Sequence, residues 1–451
     1  MTPNLLSLKN QARTVLTDPS AMLGYERDQC LIAENGKALA VVLADTVEEV
    51  VNVVRWCSDH AVPLVPRGAG TGLAGAANAI DGGVVLSVAR LDTILAIDPI
   101  ARTARVQPGV INGNLDRAAR GHGLWYAPDP GSREISSIGG NLATNAGGMC
   151  CSKYGVTADH ALRLKTVIGT GEVVETGSLT RKNVVGLDLR RLIIGSEGTL
   201  GVIVEATVRL RPRPALVATV AASFQSPESA IATVLESQQT GLEALAMEIM
   251  DRPTIAAVNA LTRMDLDEAA GALLIAQFDG SEATAAALSF KEMSTANGAE
   301  TFRTEDEDEG AAIMAARRAA LPALERFGAT ILDDVAVQPH LLPALLDKID
   351  RIRDESGVMI GTFGHAGDGN LHPTLVFDGS SAEQRARAET AFGQIVDAAL
   401  GLGGTASGEH GVGSLKLPWL ERQLGSAERD LHLRIKQAFD PAGILNPGRS
   451  Y

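Results

Sequence analysis

DPGSREISSIGGNLATNAGGMCCSKYG, residues 129–155, is the stretch from which the rest of the chain is read. Six of its residues are glycine, and much of the remainder is Ser, Thr and Asn. Large side chains are nearly absent, so the stretch has little apolar area to bury. What it offers is backbone N–H groups that can converge, because glycine tolerates positive φ and lets a ligand approach closely. Successive N–H groups of that kind form anion-binding nests. The composition therefore predicts a loop that grips a large phosphate-bearing ligand.

Bulk composition frames that expectation. At 451 residues the chain is too long for one ordinary core, and two or three domains are expected. With 45% apolar and 21% charged residues it reads as an ordinary globular protein. A formal net charge of −14 and a pI near 5.1 argue against nucleic acid, whose phosphates need a basic surface. The opening MTPNLLSLKNQARTVL lacks the apolar run of a signal peptide, and no window is apolar for long enough to span a bilayer. The cysteines Cys30, Cys57, Cys150 and Cys151 form no CxxC pair, which argues against a disulfide framework and a thiolate zinc site. A cytoplasmic location is expected.

Outward from the anchor, Leu5 to Val15 reads as an amphipathic lead-in helix. ALAVVL and VPLVP read as strands around the helix TVEEVVNVVRWCSDH, capped by Asp45 or Thr46. Strands follow at VVLSV and in ILAIDPIARTARVQPG, with a helix at NGNLDRAARGHG. ALRLKTVIGTGEVVE carries a Gly-Thr-Gly hairpin signal, and Leu192–Ile194 and Gly201–Leu210 add strands around GSEGTLG. A boundary is placed at Pro214. Beyond it, strands (LVATVAASF, LLIAQF) alternate with Ala-rich helices, an order suiting a ferredoxin-like antiparallel sheet. The acidic run EDEDEG, Glu305–Gly310, reads as a solvated linker.

Gly70-Thr71-Gly72-Leu73-Ala74-Gly75 fits G-x-G-x-x-G after a strand. In a dinucleotide-binding βαβ unit that motif opens a crossover helix. Here strand VVLSV begins only nine residues after Gly75, too soon for such a crossover. A tight phosphate loop between two strands is the better reading.

PRGAGTGLAG, the anchor stretch and GSEGTLGVIVEATVRLRP, in that order, resemble the FAD-binding domain of the vanillyl-alcohol oxidase / p-cresol methylhydroxylase (PCMH) family over Ala38–Pro214. The resemblance implies extended FAD, its pyrophosphate on the backbone N–H groups of Arg67–Thr71 and its isoalloxazine against the anchor. Its contacts would come from Pro66, Arg67, Gly68, Ala69, Gly70, Thr71 and Gly72; from Pro130, Gly131, Ser132, Gly139, Gly140, Asn141, Thr144, Asn145, Gly147, Gly148, Tyr154 and Gly155; and from Glu197, Gly198, Gly201, Ile203 and Asn446. Some members attach flavin through a histidine where this chain has Thr71, and Cys150 and Cys151 match the cysteine attachment motif poorly. Non-covalent FAD is expected.

A second chemical signal is HAGDGNLH, His365–His372, with SGEHG at Ser407–Gly411. Gly364, Gly367 and Gly369 break regular structure and allow the two imidazoles to converge. Two His and one Glu form a common ligand set for a catalytic divalent metal. These segments resemble the C-terminal domain of FAD-linked D-2-hydroxyacid dehydrogenases, a family that includes D-lactate and D-2-hydroxyglutarate dehydrogenases and the flavin subunit of glycolate oxidase. With the first domain, the resemblance spans Ala38–Arg449. It implies His365, His372 and Glu409 as ligands to zinc or a similar metal, His410 as base, and Arg317 and Thr374 beside the substrate. Hydride would pass from substrate C2 to flavin N5. In the 2-hydroxyglutarate branch a lysine holds the second carboxylate, whereas GATILDDVAV has Leu332 and two aspartates there. That favours a monocarboxylate such as D-lactate or glycolate.

The expected architecture is α+β: a lead-in (1–37), a two-part PCMH-type FAD-binding domain (38–214), a ferredoxin-like antiparallel-sheet substrate or cap domain (215–400), and a C-terminal helical segment returning to the flavin (401–451). Rival readings are an NAD-linked oxidoreductase resting on Gly70–Gly75, a metal hydrolase using the His/His/Glu set, and a non-catalytic flavoprotein subunit. The electron acceptor (quinone, cytochrome, electron-transferring flavoprotein, oxygen or dye), peripheral association with a membrane or partner subunits, and a homodimer are left open.

Overall fold

The computed structural model describes residues 5–180 and 182–450. The chain divides into two compact units: residues 1–147, 155–213 and 409–451 form the first, and residues 148–154 and 214–408 the second.

The first unit opens with the β-α-β element that the apolar pattern predicts. Thr46 caps helix Val47–His60, its hydroxyl accepting from Glu49 N at 3.2 Å, while the Glu49 carboxylate accepts from Asp45 N at 2.8 Å. Val50, Val53, Val54 and Cys57 share the buried helical face. Strands Ala40–Leu43 and Leu64–Arg67 flank Val84–Ser87 in parallel, and Thr14–Leu16 adds an antiparallel edge. The expected lead-in helix therefore stops at Lys9. Thr14 and Val15 are β-branched and pair with Leu43 and Val42 instead. A five-stranded antiparallel sheet follows, in the order Ile94–Asp98, Thr103–Val106, Val202–Arg209, Ala161–Val167, Val173–Gly177. Leu192–Ile194 is not a strand: Leu189–Ile193 is helical, capped by the Asp188 carboxylate accepting from Arg191 N at 3.2 Å. A three-residue apolar run does not distinguish strand from helix. The C-terminal helix Leu417–Phe439 is broken at Gly425, which has φ 73°.

The second unit is built on one antiparallel sheet. Its first four strands run Glu300–Thr304, Val217–Phe224, Ala272–Asp279, Ala246–Asp251, the split order of a ferredoxin-like βαββαβ unit, with helix Arg252–Thr262 added between the middle strands. The sheet continues through Met359–His365, Asn370–Phe377 and Ala329–Leu332, and Val335–Ala336 also pairs with Asn370–Phe377. The acidic run is not a linker. Asp306 caps helix Glu307–Arg318, accepting from Glu309 N at 3.0 Å, and Glu307, Asp308 and Glu309 occupy its first turn. Negative charge there is favoured by the N-terminal end of the helix dipole. The anchor stretch is itself divided: its residues 148–154 belong to the second unit, where Lys153 Nζ and the Tyr154 hydroxyl reach the two Asp279 oxygens at 2.5 and 2.6 Å. Among the described residues, no helix is long and apolar enough to cross a membrane.

Candidate active site

In the first unit the glycine loop that follows strand Leu64–Arg67 is held by side chains. The Arg67 guanidinium donates to the carbonyls of Arg27 at 2.9 Å and Ala77 at 3.1 Å. That side chain braces the loop from within. A Cβ on Gly70, at φ 74°, would collide with that guanidinium. Asp28, missed in the sequence, accepts from Gly75 N and Cys30 N, both at 2.9 Å. Burial pushes its carboxyl up, against the pull of these N–H groups and of Arg67.

The anchor meets this loop through Ser137, which caps helix Ile138–Thr144. Its hydroxyl accepts from Gly140 N and Ala69 N, each at 3.3 Å. A Cβ on Gly68 would lie 2.5 Å from the same oxygen, so glycine there permits the approach. Asn141, expected to touch cofactor, spends its amide internally, donating to Ser136 Oγ and accepting from Asn112 Nδ2, both at 3.1 Å. Beside Ala69 and Ser137 lies a cavity of about 390 Å³, also lined by Ala89, Gly109, Val110 and Ile111. In sequence, Gln107–Gly109 reads only as the end of a strand segment, because one glycine beside a proline is an ordinary turn signal.

Glu197 is buried in a left-handed conformation, at φ 50°. Its carboxylate accepts from Gly413 N at 3.0 Å, Val412 N at 3.3 Å and the Ser450 hydroxyl, and burial raises its pKa. Asn446 Nδ2 donates to the carbonyls of Glu197 at 2.7 Å and Ala76 at 2.9 Å. Both residues thus tie the C-terminal tail to the loops of this unit. Glu409 lies against Gly147, where a Cβ would strike it, and its carboxylate is 3.7 Å from His410 Nε2.

In the second unit HAGDGNLH is a hairpin, which corrects the expectation of a glycine-broken loop. His365 ends strand Met359–His365 opposite Asn370, and Gly369 at φ 76° supplies the tight turn between them. Because cross-strand partners share a face and the side-chain period is two, His365, Asn370, His372 and Thr374 all project to one side of the sheet. The His365 and His372 rings lie 5.2 Å apart, edge to face. The Thr374 hydroxyl donates to His372 O at 3.3 Å.

Sequence reading missed Glu248, opposite His365 on the neighbouring strand Ala246–Asp251. Its Oε1 is 2.7 Å from His365 Nδ1, and its Oε2 is 2.7 Å from Arg317 Nε. Burial opposes its ionisation, yet His365 and Arg317 together hold the carboxyl below its usual range. An ionised carboxylate can only accept, so His365 donates from Nδ1, which turns Nε2 away from the carboxylate. Arg317 is a buried residue of helix Glu307–Arg318, its guanidinium 4.7 Å from the Phe363 ring centre. Stacking and the Glu248 pair fix the planar fork. Asp334, one of the two aspartates noted in sequence, accepts from Ser407 Oγ at 2.8 Å and lies 3.8 Å from His372 Nδ1.

Imidazole nitrogens oriented by carboxylates fit a divalent metal such as zinc: the donor type is right, and His365 has the carboxylate-fixed tautomer of metal-bound histidines. Comparison with known proteins agrees with the fold and family. Residues 38–177 match an FAD binding domain and residues 213–450 the C-terminal domain of FAD linked oxidases. The chain is 40% identical over 418 residues to glycolate oxidase subunit GlcD of Bacillus subtilis (strain 168), covering 91% of this chain and 88% of that protein. It is 33% identical to D-lactate dehydrogenase of Anaerostipes hadrus, covering 94% and 92%. The fold is that of p-cresol methylhydroxylase with substrate bound, at TM-score 0.83 and 18% identity over 99% of this chain and 96% of that one. The chain therefore belongs to the FAD-linked oxidases, flavin-dependent oxidoreductases with an FAD-binding domain followed by a C-terminal oxidase domain.

Proposed function

We propose that this protein oxidises a small 2-hydroxyacid, D-lactate or a similar monocarboxylate, to the 2-oxoacid. The observation that carries the reading is the shared sheet face of His365, His372 and Thr374, with Arg317 bound to the carboxylate that also holds His365. A fixed guanidinium suits a substrate carboxylate bound two oxygens to two nitrogens. His365 Nε2 and His372 would hold a divalent metal, with Glu409 as the third ligand that the sequence motif supplies. FAD supplies the hydride acceptor and the metal the Lewis acidity that makes a hydroxyl proton removable near neutral pH. His410 takes the proton. Arg317 and Thr374 orient the acid.

FAD would be held without a covalent bond, since Thr71 has no nucleophile suited to flavin attachment. The backbone of Arg67–Thr71 would take its pyrophosphate, and the cavity at Ala69, Val110 and Ser137 has room for one end of an extended nucleotide. Relatives named as subunits of glycolate oxidase support assembly with partner chains that pass electrons on.

The test is a panel of D- and L-2-hydroxyacids of increasing length with a dye acceptor, run with and without chelator. Turnover of short D-acids or glycolate, lost on chelation, with anaerobic bleaching of the flavin, is the expected result. Preference for 2-hydroxyglutarate would move the substrate to a dicarboxylate, and activity indifferent to chelation after full metal removal would remove the metal. Flavin released on acid precipitation is expected; flavin left on the protein would show a covalent link.

A further inference from the structure

We infer that Glu248 is a positioning residue that couples the metal site to the substrate-carboxylate site. The inference rests on the reading of His365 as a metal ligand and Arg317 as the carboxylate clamp. Each of its two oxygens serves one of them: Oε1 lies 2.7 Å from His365 Nδ1 and Oε2 lies 2.7 Å from Arg317 Nε. The side chain is fully buried, so water does not compete for either oxygen. Its place is set by backbone register, opposite His365 in an antiparallel pair, which makes the geometry a property of the sheet and not of a mobile rotamer.

Two consequences follow from one carboxylate having two partners. Accepting from Nδ1 fixes the His365 tautomer, aims Nε2 and raises its basicity. The ion pair at Nε holds the guanidinium beside the carboxylate and over the Phe363 ring. A glutamine in this place has one acceptor oxygen and one amide NH2. It can accept from only one partner and must turn donors, or nothing, toward the other.

The test uses full-length protein with flavin bound, stripped of metal and titrated with Zn2+ and with Co2+, whose absorption reports ligand geometry. Glu248→Gln is expected to bind metal about 10- to 100-fold more weakly, to alter the Co2+ spectrum, and to raise KM for the hydroxyacid proportionally more than it lowers kcat. Flavin content should equal that of wild type. Should Glu248→Gln fail to fold, Glu248→Asp, which keeps the charge but withdraws it by one methylene, decides the matter by the same two readings. Metal affinity and KM both within twofold of wild type in the folded variant would overturn the inference. Failure of the underlying reading looks different: wild-type protein, or His365→Ala, would then show no His365-dependent metal uptake at all.

Discussion

The two units build their candidate sites on opposite principles. The first unit works through backbone packing: Gly68 allows Ser137 to approach, Gly70 leaves room for the Arg67 guanidinium, and the buried polar side chains Asp28, Asn141 and Glu197 brace the loops. The second makes its site from side chains on a sheet face, where strand register sets Glu248, His365 and His372 side by side. A backbone site is damaged by adding atoms and a side-chain site by removing them. The contrast sets what each kind of substitution should do.

The largest effect is expected at the imidazoles. His372→Ala should lower kcat/KM about 10³-fold, since a Lewis acid is worth several kcal/mol at the reacting oxygen, while the flavin spectrum of the isolated protein stays intact. Next is the cradle. Gly68→Val places carbon against Ser137 Oγ, and overpacking of about 1–3 kcal/mol should weaken FAD binding some 10- to 100-fold, measured by flavin release on dilution, with metal content unchanged. If either variant lost both ligands equally, the division of labour would fail.

Arg317→Lys should follow, with KM for the hydroxyacid raised about tenfold and flavin content unaltered, because a point charge cannot reproduce the stacked, two-pronged fork. An acid-stability curve probes the same carboxylate. Glu248 has a folded pKa below its ordinary value of 4.5. Its contribution to stability is therefore fully present above pH 4.5 and is lost as pH falls through the folded pKa, with a slope of at most about 1.4 kcal/mol per pH unit. Chelator-treated Glu248→Gln should show a shallower fall on the acid side in equilibrium denaturation; an unchanged slope would show that Glu248 titrates alike in both states. Smallest is Ser137→Ala, which removes one cap and the bond to Ala69 N and should cost about 1 kcal/mol, seen as a modest fall in Tm and a slight loosening of FAD.

The close-packed loops of the first unit were legible because glycine at Gly68, Gly70, Gly139 and Gly140 leaves a visible composition. The braces were not. Asp28 and Ser137 are ordinary cap and turn residues until their partners are known, and the bonds by which Glu197 and Asn446 tie the C-terminal tail join residues hundreds of positions apart in sequence. On the sheet, His365 and His372 announced themselves by spacing, but the glycines around them were misjudged. They make a hairpin turn and close strand contacts, which fix the imidazoles more firmly than an irregular loop could. The acidic run at Glu305 showed the same kind of error: charge alone does not separate a solvated linker from the first turn of a capped helix.

By itself the sequence determined the order of the parts: a glycine loop after a strand, a glycine-rich anchor, an antiparallel second domain, and a closely spaced pair of histidines, each written in local spacing and backbone requirement. Tertiary structure alone decided that Glu248 stands between His365 and Arg317. Neither propensity nor motif records it, because cross-strand register joins residues 117 positions apart, and the energy of that pairing depends on burial, distance and direction that exist only once the sheet has formed.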